Sequence, residues 1–283
     1  MMFFALGLLS SLSFASIPEY FLIAARTADL HGNGAYQIEQ EVTFRKNTEV
    51  QKVKETWIVL NENTMRVNLE GRGPLKGLVN GTLVYDGTRR EFVDEDGRPK
   101  TQRLGEEWLE PLFHFRNGKY LRQRLVQLKV APQESLNDRS PLNASGPPRY
   151  SPPGFIRLSR AGGGVAWAIS TGPEAPTLWI EQDQFVIRKY KGASGVRLSA
   201  DSYAKYDKSK PTAPNPLGVL WYPGTRTYTF GPYVVDVKTL LVKPLGRLKG
   251  DDKRFSAKLL SPAKDALKLP DTESVREFYS RFR

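Results

Sequence analysis

Residues 36–97 alternate apolar and polar side chains with a period of two, and no other feature of the chain constrains its fold as strongly. Within 36–44 the apolar residues fall at 36, 38, 42 and 44, with Gln37, Glu39, Glu41 and Thr43 between them. Successive side chains of extended backbone point to opposite faces, so one face of this segment belongs in a core and the other in water. A second run over 53–60 holds Trp57. Asn61-Glu62-Asn63-Thr64 then supplies turn chemistry, and Met65, Val67 and Leu69 alternate with Arg66, Asn68 and Glu70. A further strand over 78–85 meets Asp86-Gly87, a dipeptide suited to a tight hairpin turn, and 89–93 returns toward Asp94-Glu95-Asp96-Gly97.

The remainder extends this ribbon. Short strand patterns recur at 155–158, 165–170, 177–181, 185–191, 196–206 and 219–222, followed by a long run over 225–242 that is broken at Gly231-Pro232. Helical spacing appears at 18–30, stopped by His31-Gly32-Asn33-Gly34, and again over 104–130 with breaks at Pro111 and Asn117-Gly118. At 271–283, Asp271 or Thr272 can cap a helix whose Val275, Phe278, Tyr279 and Phe282 form one face. Six prolines in 132–153 exclude a central strand or a long helix there and mark a loop or a linker. The expected fold is therefore mainly β. It is a curved antiparallel sheet, an unclosed half-barrel, with a few helices on its concave face. Residues 16–283 read as one domain.

The first fifteen residues are uncharged and mostly apolar, with Ser13 and Ala15 placed as the −3 and −1 residues of a signal-peptide cleavage site. The stretch is too short to cross a bilayer, which takes ~20 residues. Export to the periplasm, with cleavage after Ala15, is the expectation. The chain has no cysteine, which excludes disulfides, thiolate metal sites and a lipid-modified N-terminal cysteine. Forty-two basic residues against 30 acidic ones give a net charge of +12. That field favours an anionic surface such as phospholipid headgroups, and export argues against nucleic acid.

Several segments resemble the periplasmic lipoprotein carriers of the LolA/LolB type. They are a helix ending at glycine, Glu55-Thr56-Trp57-Ile58-Val59 leading through a turn to Met65-Arg66-Val67, and Leu83-Val84-Tyr85-Asp86-Gly87-Thr88. Later, Leu178-Trp179-Ile180-Glu181 is similar to the Trp-Ile hairpin of that family. The resemblance covers about residues 18–206. It implies a half-barrel whose helical lid covers an apolar cavity for the acyl chains of a lipid or lipoprotein. In those carriers an arginine shortly after the strand tryptophan holds the lid shut, whereas Leu60 occupies the matching position here.

The inventory for catalysis is poor. His31 and His114 are the only histidines, no nucleophile elbow or phosphate loop is present, and no enzyme activity is expected. His114 reads as a partly buried helix-end residue, Asp94–Gly97 as a hairpin turn and not a calcium loop, and Glu106, Glu107 and Glu110 as a solvated helix face. No metal or cofactor is expected. The five tryptophans (Trp57, Trp108, Trp167, Trp179 and Trp221) fall on elements predicted to face inward, where they pack a core or line a cavity. The residues expected on the concave, ligand-holding face are Tyr36, Ile38, Val42, Phe44, Trp57, Met65, Val67 and Trp179. Arg45, Arg66, Arg89 and Arg90 are expected at the rim, facing an anionic headgroup. The expected function is a lipid or lipoprotein carrier. The alternative is an envelope regulatory or structural protein that uses the same sheet to bind another protein, and a cavity already filled by its own side chains favours that alternative.

Overall fold

The computed structural model describes residues 17–32, 34–46, 49–137, 150, 152–206, 220–246, 248 and 252–283. The expected leader over 1–15 lies outside the described residues, as does most of the proline-rich loop.

The central strand is β1 (Ala35–Lys46), hydrogen-bonded to β2 (Glu49–Val59) on one side and to β15 (Tyr233–Gly246) on the other. From β2 an antiparallel meander runs through β3 (Thr64–Arg72), β4 (Asn80–Asp86) and β5 (Arg89–Val93) to an edge at β6 (Pro99–Arg103). On the other side the order is β15, β14 (Thr225–Phe230), β11 (Arg197–Asp201), β10 (Ile187–Lys191), β9 (Thr177–Glu181), β8 (Gly164–Ile169) and β7 (Ile156–Ala161). The result is one 13-stranded antiparallel sheet whose two edges, β6 and β7, do not meet. A separate two-stranded ribbon joins β12 (Ala204–Lys205) to β13 (Trp221–Tyr222).

A sheet this wide curls, and its inner face needs a cover. Along β3 the burial alternates residue by residue, so Met65, Val67 and Leu69 face inward while Arg66 and Asn68 face outward. The inward residues of both halves join one large core with four helical segments: α1 (Tyr20–Ala28), a 3-10 turn (Glu110–Phe113), α2 (Gly118–Gln127) and α4 (Glu273–Arg281). A Cβ on Gly118 would sit 2.8 Å from the Ala25 backbone, so the absence of a side chain there lets α1 and α2 touch. Of the two short helical stretches expected over 104–130, the first is a single 3-10 turn, Glu110–Phe113, and the second is α2.

The segment 252–269 covers part of the outer face and then hydrogen-bonds to β4 and β5 where Leu267 and Leu269 pack against the main core. It includes a short helix α3 (Pro262–Asp265), bridges Asn80 at Lys268 and Val93 at Ala266, and covers Val84 and Val93 with Leu260. A Cβ at Gly81 would lie 2.7 Å from the Leu267 Cα, so the absence of a side chain there lets this segment pack close to β4.

Candidate functional site

The space between the inner face and the helices is where a half-barrel can hold a ligand, and here it is filled by the protein itself. α4 carries Val275, Phe278, Tyr279 and Phe282 on one face, all at most 1% exposed. Phe278 meets Phe44 of β1 at 5.4 Å and Tyr228 of β14 at 5.4 Å, and Phe282 lies 5.0 Å from Phe230. These edge-on and tilted aromatic contacts make a dry seat for the helix. Thr272 occupies the N-cap position but makes no side-chain capping bond, and Asp271 instead accepts from Arg276 at 2.6 Å.

Beside that seat lies a buried ionic cluster. Gln40 and Glu55 are directly opposite in the β1–β2 register and face inward. Gln40 Nε2 donates to Glu55 Oε2 at 2.6 Å, as does Trp57 Nε1 at 2.9 Å. Arg283, just beyond α4, completes the site by donating through Nε to Glu55 Oε1 at 2.9 Å. On the other side, Arg226 of β14 donates to Glu110 Oε2 at 2.7 Å and to Gln40 Oε1 at 2.5 Å. Glu110 Oε1 accepts from Tyr222 Oη at 2.9 Å and lies 3.2 Å from His114 Nε2, whose other ring nitrogen is 2.5 Å from Tyr36 Oη. Arg283 Nη1 also approaches Glu110 Oε2, at 3.3 Å.

None of these groups reaches water, so their charges must balance internally. Glu55 and Glu110 oppose Arg226 and Arg283, and the sum is zero. Burial alone would push the Glu110 carboxyl up, but Arg226, the His114 hydrogen bond and Arg283 hold it well below its ordinary value of 4.5. Burial pushes His114 down against the pull of Glu110, which leaves the imidazole neutral at pH 7. His31 is pushed down to about 3, chiefly by burial, and its Nδ1 sits 2.5 Å from the Phe115 carbonyl oxygen. Among the described residues no group of three or more His, Cys, Asp or Glu is placed to hold a metal ion.

Seven of the eight residues expected on the concave face are there. Tyr36, Ile38, Val42, Phe44, Trp57, Met65 and Val67 are all buried under the helices. Trp179 is not among them. It sits on the outer face of β9, where Nε1 donates to Ser159 at 3.3 Å and Lys189 Nζ lies 5.1 Å from the ring centroid. Its neighbours Leu178 and Ile180 point inward instead. Of the other tryptophans, Trp57, Trp108 and Trp167 are buried and Trp221 is half-buried.

The four arginines do not form a rim. Arg45 lies on the outer face, paired with Asp236 at 3.1 Å. Arg66 is outward too, held by Asp265 at 3.3 Å and by the Arg254 carbonyl under the 252–269 segment. Arg89 is exposed, and Arg90, one residue on, is buried. Arg90 donates to the carbonyl oxygens of Tyr279, at 2.5 Å, and Arg283. An arginine therefore does tie the sheet to the end of a covering helix, but it comes from β5 and not from the position of Leu60. Glu110 is likewise no part of a solvated face: it is fully buried in the cluster, whereas Glu107 is only partly shielded and pairs with Arg281 at 2.6 Å. His114 is wholly buried, more so than its sequence position suggested.

No protein-family model matches the sequence, and the search of curated proteins finds no match. Solved structures do match. A DUF1329 family protein from Desulfovibrio piger aligns over 86% of this chain and 98% of its own, with TM-score 0.51 and 8% identity. The chain shares that protein's fold, and its own sheet is the unclosed half-barrel expected from the sequence. A LolA superfamily protein from Nitrosomonas europaea aligns over 86% of this chain and all of its own at TM-score 0.48 and 9% identity. A domain named for outer membrane lipoprotein sorting, from Vibrio parahaemolyticus, covers 82% of this chain and 94% of its own at TM-score 0.47 and 12% identity. Likeness at these identities concerns the fold alone. No helix among the described residues is long and apolar enough to cross a membrane.

Proposed function

We propose that this chain is an exported, non-catalytic carrier of the periplasm, which holds acyl chains of a lipid or lipoprotein between the half-barrel and its helices. In the structure described above, α4 closes the site. The observation that carries this reading is the seat of α4, an aromatic trough formed by Phe44, Tyr228 and Phe230 that an acyl chain could occupy in place of the helix.

The energies are compatible with such an exchange. Exposing the four buried side chains of α4 costs about 1.5–3 kcal/mol each, or about 6–12 kcal/mol together, and withdrawing Arg283 from Glu55 adds about 3–5 kcal/mol. An acyl chain recovers about 0.8 kcal/mol per buried methylene, so about 11–21 methylenes offset the loss. One ordinary fatty chain is in that range. The basic surface favours the anionic membranes from which such cargo would come. The test is native mass spectrometry of protein taken from the periplasm, together with titration of a fluorescent fatty acid. Co-purified lipid and saturable probe binding support the carrier, and a lipid-free protein that ignores the probe overturns it.

One observation favours the second reading, a platform for another envelope protein: the trough is already full, and an ion pair ties its occupant in place. That reading predicts that α4 stays protected from hydrogen exchange whatever lipid is added.

A further inference from the structure

A small cavity of about 260 Å³ opens at one end of the half-barrel, away from the α4 seat. Its walls are the hairpin turns at 61–64 and 86–89, the stretch 104–115 and the exposed side of α2. The two turns are tied together by Gly87 N–H donating to the Asn63 carbonyl at 2.7 Å, and Leu104 N–H bonds the Thr88 carbonyl at 2.7 Å, so the walls are fixed. At about 30 Å³ per water the space holds roughly nine waters. It falls just below the range of about 300–1,000 Å³ usual for ligand pockets, which suits a polar headgroup better than an acyl chain.

Two charged side chains on this cavity's wall form no ion pair with another side chain among the described residues. Glu62 is only 7% exposed, yet no hydrogen bond or ion pair engages its carboxylate among the described residues. Arg124 donates to the carbonyls of Trp108 and Glu106, at 2.5 and 3.2 Å, and to Gln127 Oε1 at 2.9 Å, but pairs with no carboxylate. Its Nε is buried without a partner. A shielded charge that forms no ion pair gains from a ligand that supplies the opposite charge. Trp108, Phe115 and Tyr120 add aromatic surface, which attracts an ammonium group.

We infer that this cavity binds a small zwitterion in which an ammonium group is linked to a phosphate, the ammonium meeting Glu62 and the phosphate meeting Arg124. Phosphoethanolamine has that chemistry, either as a free compound or as the headgroup of a lipid. The inference rests on the cavity alone and stands independently of whether acyl chains displace α4.

The test is calorimetric titration of the full chain with phosphoethanolamine, ethanolamine and inorganic phosphate, and sedimentation with vesicles of phosphatidylethanolamine and phosphatidylglycerol or of phosphatidylglycerol alone. Phosphoethanolamine should bind at least about tenfold more tightly than either of its halves. Glu62→Gln should weaken it about tenfold while the melting temperature holds or rises, since a carboxylate that forms no ion pair is removed. A purely structural Glu62 would instead lower the melting temperature. Vesicle binding that requires phosphatidylethanolamine and Glu62 assigns the lipid source, and binding of the soluble compound alone assigns the free one. No binding at millimolar phosphoethanolamine, or binding that Glu62→Gln leaves unchanged, overturns the inference.

Discussion

Replacing Arg283 by methionine removes one charge from a cluster that has no water to replace it. The guanidinium is wholly buried and lies 2.9 Å from Glu55 Oε1 and 3.3 Å from Glu110 Oε2. Glu110 keeps Arg226, but Glu55 is left with only the neutral donors Gln40 and Trp57. The cluster then carries an uncompensated negative charge in an apolar interior. Breaking a buried pair in this way costs about 3–5 kcal/mol, a large share of the 5–15 kcal/mol that keeps a typical domain folded. An exposed pair would cost less than about 1 kcal/mol. Urea unfolding, followed by circular dichroism, measures the difference from the shift in midpoint at constant slope. The double variant Glu55→Gln/Arg283→Met keeps both hydrogen bonds to position 55 and removes the stranded charge. It should therefore be more stable than Arg283→Met alone, with a coupling energy of about 1–3 kcal/mol. A loss below about 1 kcal/mol for Arg283→Met, or no recovery in the double variant, would refute the view that Arg283 balances Glu55.

Three further outcomes are expected. Arg90→Ala removes the donors to the Tyr279 and Arg283 carbonyls. It should cost about 1–3 kcal/mol and speed hydrogen exchange in α4 before other elements, with equal protection in variant and wild type counting against the tie. Gly118→Ala drives a methyl into the Ala25 backbone and should destabilise by about 1–3 kcal/mol, read as a lowered melting temperature. Acid should weaken the fold in two stages. His31 and His114 are held neutral below the ordinary 6.5, so the unfolded chain binds more protons as pH falls through that value. Stability then drops by up to about 1.4 kcal/mol per pH unit for each histidine, for His31 until pH nears 3. Glu110, depressed from 4.5, adds to the loss below that pH. Urea midpoints that do not change between about pH 7.5 and 5 would contradict this.

The ribbon was legible because each strand from β1 to β3 is dry on one face and wet on the other, so parity alone assigns Tyr36, Ile38, Met65 and Val67 to the interior. The same parity sends Arg66 outward, a consequence available from its position between Met65 and Val67. Trp179 could not be placed that way. Leu178, Trp179 and Ile180 are consecutive apolar residues, and no polar neighbour marks the wet side. The ionic cluster did leave a trace in the sequence, as a polar residue at an inward position: Gln40 between Ile38 and Val42, and Glu55 between Val53 and Trp57. Its other members were out of reach, because Arg226 and Arg283 meet Gln40 and Glu55 across separations of 186 and 228 residues. Glu110 was misplaced because three glutamates within five residues read as one solvated helix face, whereas the chain makes only a single 3-10 turn here and buries the Glu110 carboxylate. The segment 252–269 has no periodic signature, since a segment fixed by a few bridges to β4 and β5 needs none.

Photo-crosslinking with a diazirine-bearing fatty acid, followed by mapping of the labelled peptides, tests most directly whether α4 yields its seat to acyl chains. The account predicts label on β1 and β14 around Phe44, Tyr228 and Phe230, together with faster hydrogen exchange in α4 when the fatty acid is present. Label confined to the outer face of the sheet, with α4 as protected as before, would contradict it.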